Sequence, residues 1–216
     1  MIHEQVLMNL FKQQTLTQAT KKWPVYLPVA GIILFSLLYI IATLLYPGGS
    51  DIDRHAKGFN WLHNYWCELM APYSQSNQPN TARPLAISAM CALAVSLALI
   101  WYFVPSHLPL SRTLQKFISL SGVLSMIILF FLFSHDHDKV INTASALGFT
   151  AILLTLAGLY RKKMFLLFAL GVIGFLLGFL NTWLYYSGQR YYLPVVQKIT
   201  FIFFLAWFVL LRLRNK

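Results

Sequence analysis

The sequence predicts an all-α, polytopic membrane protein: six transmembrane helices in one bundle, with a short amphipathic helix in the first outer loop. Three observations carry that prediction. The 216 residues are 58% hydrophobic and only 11% charged, whereas a soluble domain is about one quarter charged. Six apolar stretches approach or exceed the roughly 20 residues that a helix needs to cross the hydrocarbon core, and none of them holds an acidic residue. Trp, Tyr and Pro crowd their ends, where amphipathic rings sit at headgroup level.

The first 22 residues are polar and basic. "IHEQVLMNLFKQQ" places Val6, Leu7, Leu10 and Phe11 on one side, which reads as an inner-leaflet amphipathic helix. The first span is expected at 25–46 and is too long for a signal-peptide core. A long loop, 47–83, follows. The second span, 84–104, starts on Pro84, where a missing N–H costs nothing. The third is expected at 114–133, the fourth at 140–160, the fifth at 164–186 and the sixth at 194–211. The domain plan is thus a cytoplasmic segment 1–22, a membrane domain 23–212 and a basic tail 213–216. Cys67 and Cys91 do not amount to a disulfide framework.

Loop lysines and arginines set orientation. With the N-terminus inside, eleven of the 17 Lys and Arg residues lie on the inner side, against one acid, Glu4. The outer segments then hold the other six basic residues, five of the six acids, and His55, His63, His135 and His137. The net charge of +11 therefore reports topology rather than nucleic-acid binding, and both termini are expected in the cytoplasm.

Chemistry is expected at the outer face. "YPGGSDIDRH" breaks the first helix and brings Ser50, Asp51 and Asp53 into the loop. In "GFNWLHNYWCELM", Phe59, Leu62, Trp66 and Leu69 recur at helical spacing, with Asn60, Asn64 and Glu68 on another face. The bland reading is an interfacial anchor; the functional one is a lid whose polar face, His63 included, looks into a cavity. "HDHD", residues 135–138, opens the fourth helix, where Asp136 or Asp138 can cap the N-terminus. Asp138, Asn142 and Ser145 share a helix face. Asn181 and Thr182 lie near the outer mouth of the fifth helix, and Gln197 and Lys198 sit one turn into the sixth. Lys198 can snorkel to the interface or pair with Asp138, Asp136 or Glu68. A polar outer third on helices four to six predicts a shallow outward pocket.

Several activities are weighed against that pocket. Zinc wants three or four His, Cys or carboxylate ligands. His135 and His137 diverge by roughly 200° on a helix, so the candidate set is His63, Glu68, His137 and Asp138. "WCE" resembles a fragment of the seven-helix hydrolases of the alkaline ceramidase type, but this chain has no histidine after His137. A proton-coupled small-solute transporter usually buries an acid or histidine near the midplane, and no span holds one. Gly174-x-x-x-Gly178 most simply permits close helix packing. No phosphate loop, dinucleotide fingerprint or nucleophile elbow is present.

Taken in order, "YPGGS", "FNWLHNYWCEL", "NTARP", "HDKVIN", "GLYRKK" and "YYLPVVQKITF" resemble a bacterial group of six-helix membrane proteins with a domain of unknown function. That group is distantly similar to the DRAM/Sfk/FGF-receptor-activating-protein families. The resemblance implies a six-helix bundle in the bacterial inner membrane with an elaborated first outer loop. It implies no enzyme activity, and through the eukaryotic relatives it suggests a lipid-related role. The expectation is a non-enzymatic protein whose pocket binds a lipid headgroup or another membrane protein. No cofactor is expected, zinc being the one candidate, and no nucleic acid. A metal-dependent lipid hydrolase and a transporter are the alternatives.

Overall fold

The computed structural model describes residues 25–131 and 137–215, with the backbone alone for His137 and Asp138. The N-terminal segment, His135 and Asp136 therefore lie outside the described residues.

Among the described residues, six helices are long and apolar enough to cross a membrane. They are α1 (Val25–Leu45), α2 (Arg83–Phe103), α3 (Arg112–Leu129), α4 (His137–Arg161), α5 (Phe165–Tyr186) and α6 (Leu193–Arg214). The chain is thus a multi-pass membrane protein. Consecutive helices from α2 to α6 are neighbours, and α6 also packs on α2. The Phe35 and Phe201 rings, 5.7 Å apart, bring α1 against α6.

α1 shows how an apolar helix is sorted without a water-facing side. Ile32, Phe35, Tyr39 and Ala42 are buried, whereas Ile33, Leu37, Ile40 and Leu44 are exposed. Both stripes follow the helical period, and the exposed one is as apolar as a surface toward lipid needs to be. Lipid is as apolar as leucine, so close packing holds such helices together. α5 supplies the example. A Cβ on Gly174 would meet Phe204 at 3.2 Å, and one on Gly178 would meet Phe149 at 2.9 Å. Trp207 of α6 is buried and donates its indole N–H to the Leu167 carbonyl at 2.9 Å.

The two ends of the bundle differ. At the basic end, Lys162 donates to Asn215 Oδ1 at 2.8 Å, and the Arg212 guanidinium lies 5.0 Å from the Phe103 ring centroid. The opposite end carries the long α1–α2 loop and the short α5–α6 loop. Within the long loop the only regular helix is a 3₁₀ turn, Trp66–Met70. The helical spacing expected from Phe59 onward is realised there alone. Residues before it are held by backbone turn bonds and side-chain bonds instead of a helical ladder.

Candidate functional site

The loop end holds two polar constructions side by side. The first is a closed knot built on Asn64, Glu68, Asn80 and Lys198, all 7% exposed or less. Its entry is the turn after α1, where Gly48 and Gly49 adopt φ of 137° and 82°. Such angles are open to glycine and strained for other residues. Gly49 N–H donates to the Ala56 carbonyl at 2.8 Å, and the Gly49 carbonyl accepts from Asn64 Nδ2 at 2.7 Å. The second Asn64 amide proton goes to Glu68 Oε2, while Asn64 Oδ1 accepts from Asn60 N–H at 2.7 Å. Lys198 reaches up from α6 and donates to the Asn64 carbonyl, and to its own Pro194 carbonyl at 2.9 Å. Asn80 Nδ2 meets the carbonyls of Glu68, Leu69 and Ala71 at 2.9–3.1 Å.

Further bonds fasten this knot to the bundle. Tyr39 donates to the Trp66 carbonyl at 2.8 Å, Trp66 N–H donates to Gln197 Oε1 at 3.2 Å, and Gln75 N–H donates to the Tyr46 hydroxyl at 3.1 Å. Burial and the charge of Asp51 push the Glu68 carboxyl up to about 7, against the opposing bonds from Asn64 and Gln75. Burial, and the neighbouring Glu68, push the Cys67 thiol up to about 12. Cys67 is therefore a protonated, poorly nucleophilic thiol at neutral pH.

The second construction is a cavity of about 640 Å³, within the range of small-molecule sites. α4 contributes Ile141, Asn142, Ser145, Ala146 and Phe149. α5 contributes Gly178, Asn181, Thr182, Tyr185 and Tyr186. α6 contributes Leu193, Gln197, Thr200, Phe201 and Phe204. Asp51, Tyr65 and Cys67 enter from the long loop and Arg190 from the α5–α6 loop. The wall is graded. Phe149, Phe201, Phe204 and Gly178 lie toward the bundle interior, and the charged and tyrosine side chains lie at the loop end. Asn142 Nδ2 donates to the Tyr186 hydroxyl at 3.1 Å and ties α4 to α5 at the mouth. Asn181 donates to Thr200 Oγ1 and, at 3.1 Å, to the Leu177 carbonyl, and its buried Oδ1 has no partner among the described residues.

The residues expected from sequence divide between these constructions. Asn64, Glu68 and Lys198 belong to the knot, not to the cavity. Lys198 is 6% exposed, so it does not snorkel; its ammonium is spent on backbone carbonyls within electrostatic reach of Glu68. Ser50 is buried, and its hydroxyl accepts from Asp53 N–H at 3.1 Å. Asp53 is exposed and accepts from His55 N–H at 2.9 Å. His63 packs against Tyr191, ring centroids 5.6 Å apart, and its buried Nδ1 has no partner among the described residues. Asp51, Asn142 and Asn181 line the cavity. His137 and Asp138 open α4. Among the described residues no three His, Cys, Asp or Glu side chains come together to hold a metal ion.

Arg190, Tyr65, Tyr186, Gln75 and Asn80 take part in these constructions without having been singled out in the sequence. Arg190 stands in "YYSGQRYY", a short loop whose only sequence signal is its aromatic density.

No family profile, curated protein or solved structure matches this chain. The described residues define a membrane protein of six spanning-length helices with a cavity at one end of the bundle.

Proposed function

We propose that this chain is a non-enzymatic, amphiphile-binding protein of a bacterial inner membrane, with the loop end outside and both termini in the cytoplasm. One observation carries the binding reading: the cavity is apolar toward the bundle interior and polar at the loop end. An outer-leaflet lipid has the same polarity gradient along its length. The tyrosine-rich rim suits headgroup depth. The excess of Lys and Arg at the opposite end supports the orientation. The lipid-related role suggested by the motif resemblance agrees with this assignment.

The test is quantitative lipid analysis of protein purified in mild detergent. Wild type is expected to retain about one lipid per chain. Thr182→Phe and Ala146→Phe both add volume inside the cavity, at exposed positions of its wall. Both are expected to lose the lipid while the protein remains monodisperse. Equal retention in wild type and both variants would remove the reading.

A further inference from the structure

Two opposite charges line this cavity, Asp51 and Arg190. Both are exposed, and neither the carboxylate nor the guanidinium has a hydrogen-bond or ion-pair partner among the described residues. The two are also not paired with each other, so more than 4 Å separates carboxylate from guanidinium. Their backbones are nevertheless held at one mouth. Tyr65 donates its hydroxyl to the Arg190 carbonyl at 3.3 Å, and that hydroxyl feels the charge of both residues. Asp51 is held by the Ser50–Asp53 turn, whose Ser50 N–H donates to the Asp53 carbonyl at 2.8 Å. The next charged groups inward, Glu68 and Lys198, are already occupied by the knot.

We propose that the cavity selects a zwitterionic phospholipid whose headgroup carries a primary ammonium, of the phosphoethanolamine type, with Arg190 taking the phosphate and Asp51 the ammonium. This rests on the amphiphile reading of the same cavity. A guanidinium alone would favour any anionic lipid. A carboxylate beside it disfavours a headgroup with net negative charge and rewards one that brings its own cation. A primary ammonium donates N–H bonds to a carboxylate, and such charge-assisted bonds are the strong ones. A trimethylammonium has no N–H to offer. Tyr65, Tyr185 and Tyr186 line the same mouth and offer ring faces to the cation. Phe149, Phe201 and Phe204 receive the acyl chains.

The experiment is native mass spectrometry of the delipidated full chain against an equimolar mixture of phosphatidylethanolamine, phosphatidylcholine and phosphatidylglycerol of one acyl composition. Wild type is expected to prefer the ethanolamine lipid about tenfold, the size of one charge-assisted bond. Asp51→Asn is expected to lower the ethanolamine-to-glycerol preference about tenfold, weakening the ethanolamine lipid and leaving the glycerol lipid bound as well as before or better. Arg190→Gln is expected to weaken all three. Both positions are exposed, so the variants should keep the wild-type melting behaviour, which is measured alongside. Unchanged preference in both variants, or a wild type that takes the glycerol or choline lipid first, overturns the assignment. The Thr182→Phe and Ala146→Phe variants separate the two levels. If they empty the site while Asp51→Asn and Arg190→Gln keep wild-type preference, the cavity stands and the headgroup assignment falls. If they retain lipid like wild type, both fall.

Discussion

The knot and the cavity share a wall and are made of the same residue types, yet they differ in how completely their polar groups are answered. In the knot, both Asn64 amide protons, its Oδ1 and its carbonyl are all used. At the cavity, Asp51 and Arg190 have no side-chain partner and the Asn181 Oδ1 is unmet among the described residues. Buried polar groups that satisfy one another specify a conformation; those left unsatisfied invite a ligand. Density of polar residues in the sequence does not distinguish the two cases.

The comparison breaks most directly at Asn64. Asn64→Leu removes the shared partner of Gly49 and Glu68 and leaves a buried carboxylate short of a bond, a change of about 3–5 kcal/mol. Thermal unfolding in detergent, followed by size-exclusion, should show a fall of many degrees or loss of the folded peak. A near-wild-type midpoint would mean that the loop is held by its apolar contacts alone.

The next effect is pH dependence. Burial lifts the Glu68 pKa from its ordinary 4.5 to about 7, so between these values the folded chain binds more protons than the unfolded one. Stability is then fully present below about 4.5 and declines as pH rises toward 7, by a contribution on the order of 3 kcal/mol. Asp51, Lys198, Cys67, Tyr46 and Tyr65 all interact electrostatically with Glu68, and none of their side chains is altered in Glu68→Gln. That variant should flatten the profile in this window. An equally steep profile in Glu68→Gln would assign the titration elsewhere.

A smaller loss is expected at the entry turn. Gly49→Ala imposes φ of 82° on a residue with a Cβ, and that atom would meet the Gln75 backbone carbon at 2.6 Å. The expected destabilisation is about 1–3 kcal/mol, read on the same melting assay. Gly58→Ala is the control: φ is 69° there, but nothing lies within 4 Å of the added atom. It should cost less than Gly49→Ala, and the reverse order would show that the close approach is not what matters.

Much of the fold was legible in the sequence because the solvent is lipid. Length and the absence of acids mark each span, and the expected boundaries differ from the observed ones by only a few residues, as at α4, which starts at His137 rather than at 140. The loop was less legible. Its Phe59-to-Leu69 spacing imitates a helix, but Asn60, Asn64 and Glu68 bond to one another and to Gly49, and only Trp66–Met70 winds up. Lys198 shows the same limit: a lysine one turn into an apolar helix reads as an interface anchor, and only the fold reveals the Asn64 carbonyl above it. Arg190 was invisible because its relevance depends on which loop lies opposite, a distance in space that no spacing along the chain encodes.

The finest form of the comparison sets Asn181 against Asn64 under the same substitution. Asn181 gives one bond to Thr200 and one to the Leu177 carbonyl of its own helix, and its Oδ1 gains none among the described residues. Thr200 still donates to the Val196 carbonyl at 2.7 Å when Asn181 is gone. Asn181→Leu therefore removes an unmet acceptor along with its bonds, and replacing such a group by an apolar one of similar shape is nearly neutral, within about 1 kcal/mol. Melting midpoints of Asn64→Leu and Asn181→Leu, measured in one detergent, should differ at least threefold in their displacement from wild type. Equal displacements would mean that both asparagines are structural, and that the boundary between the closed knot and the open cavity lies elsewhere in the loop end.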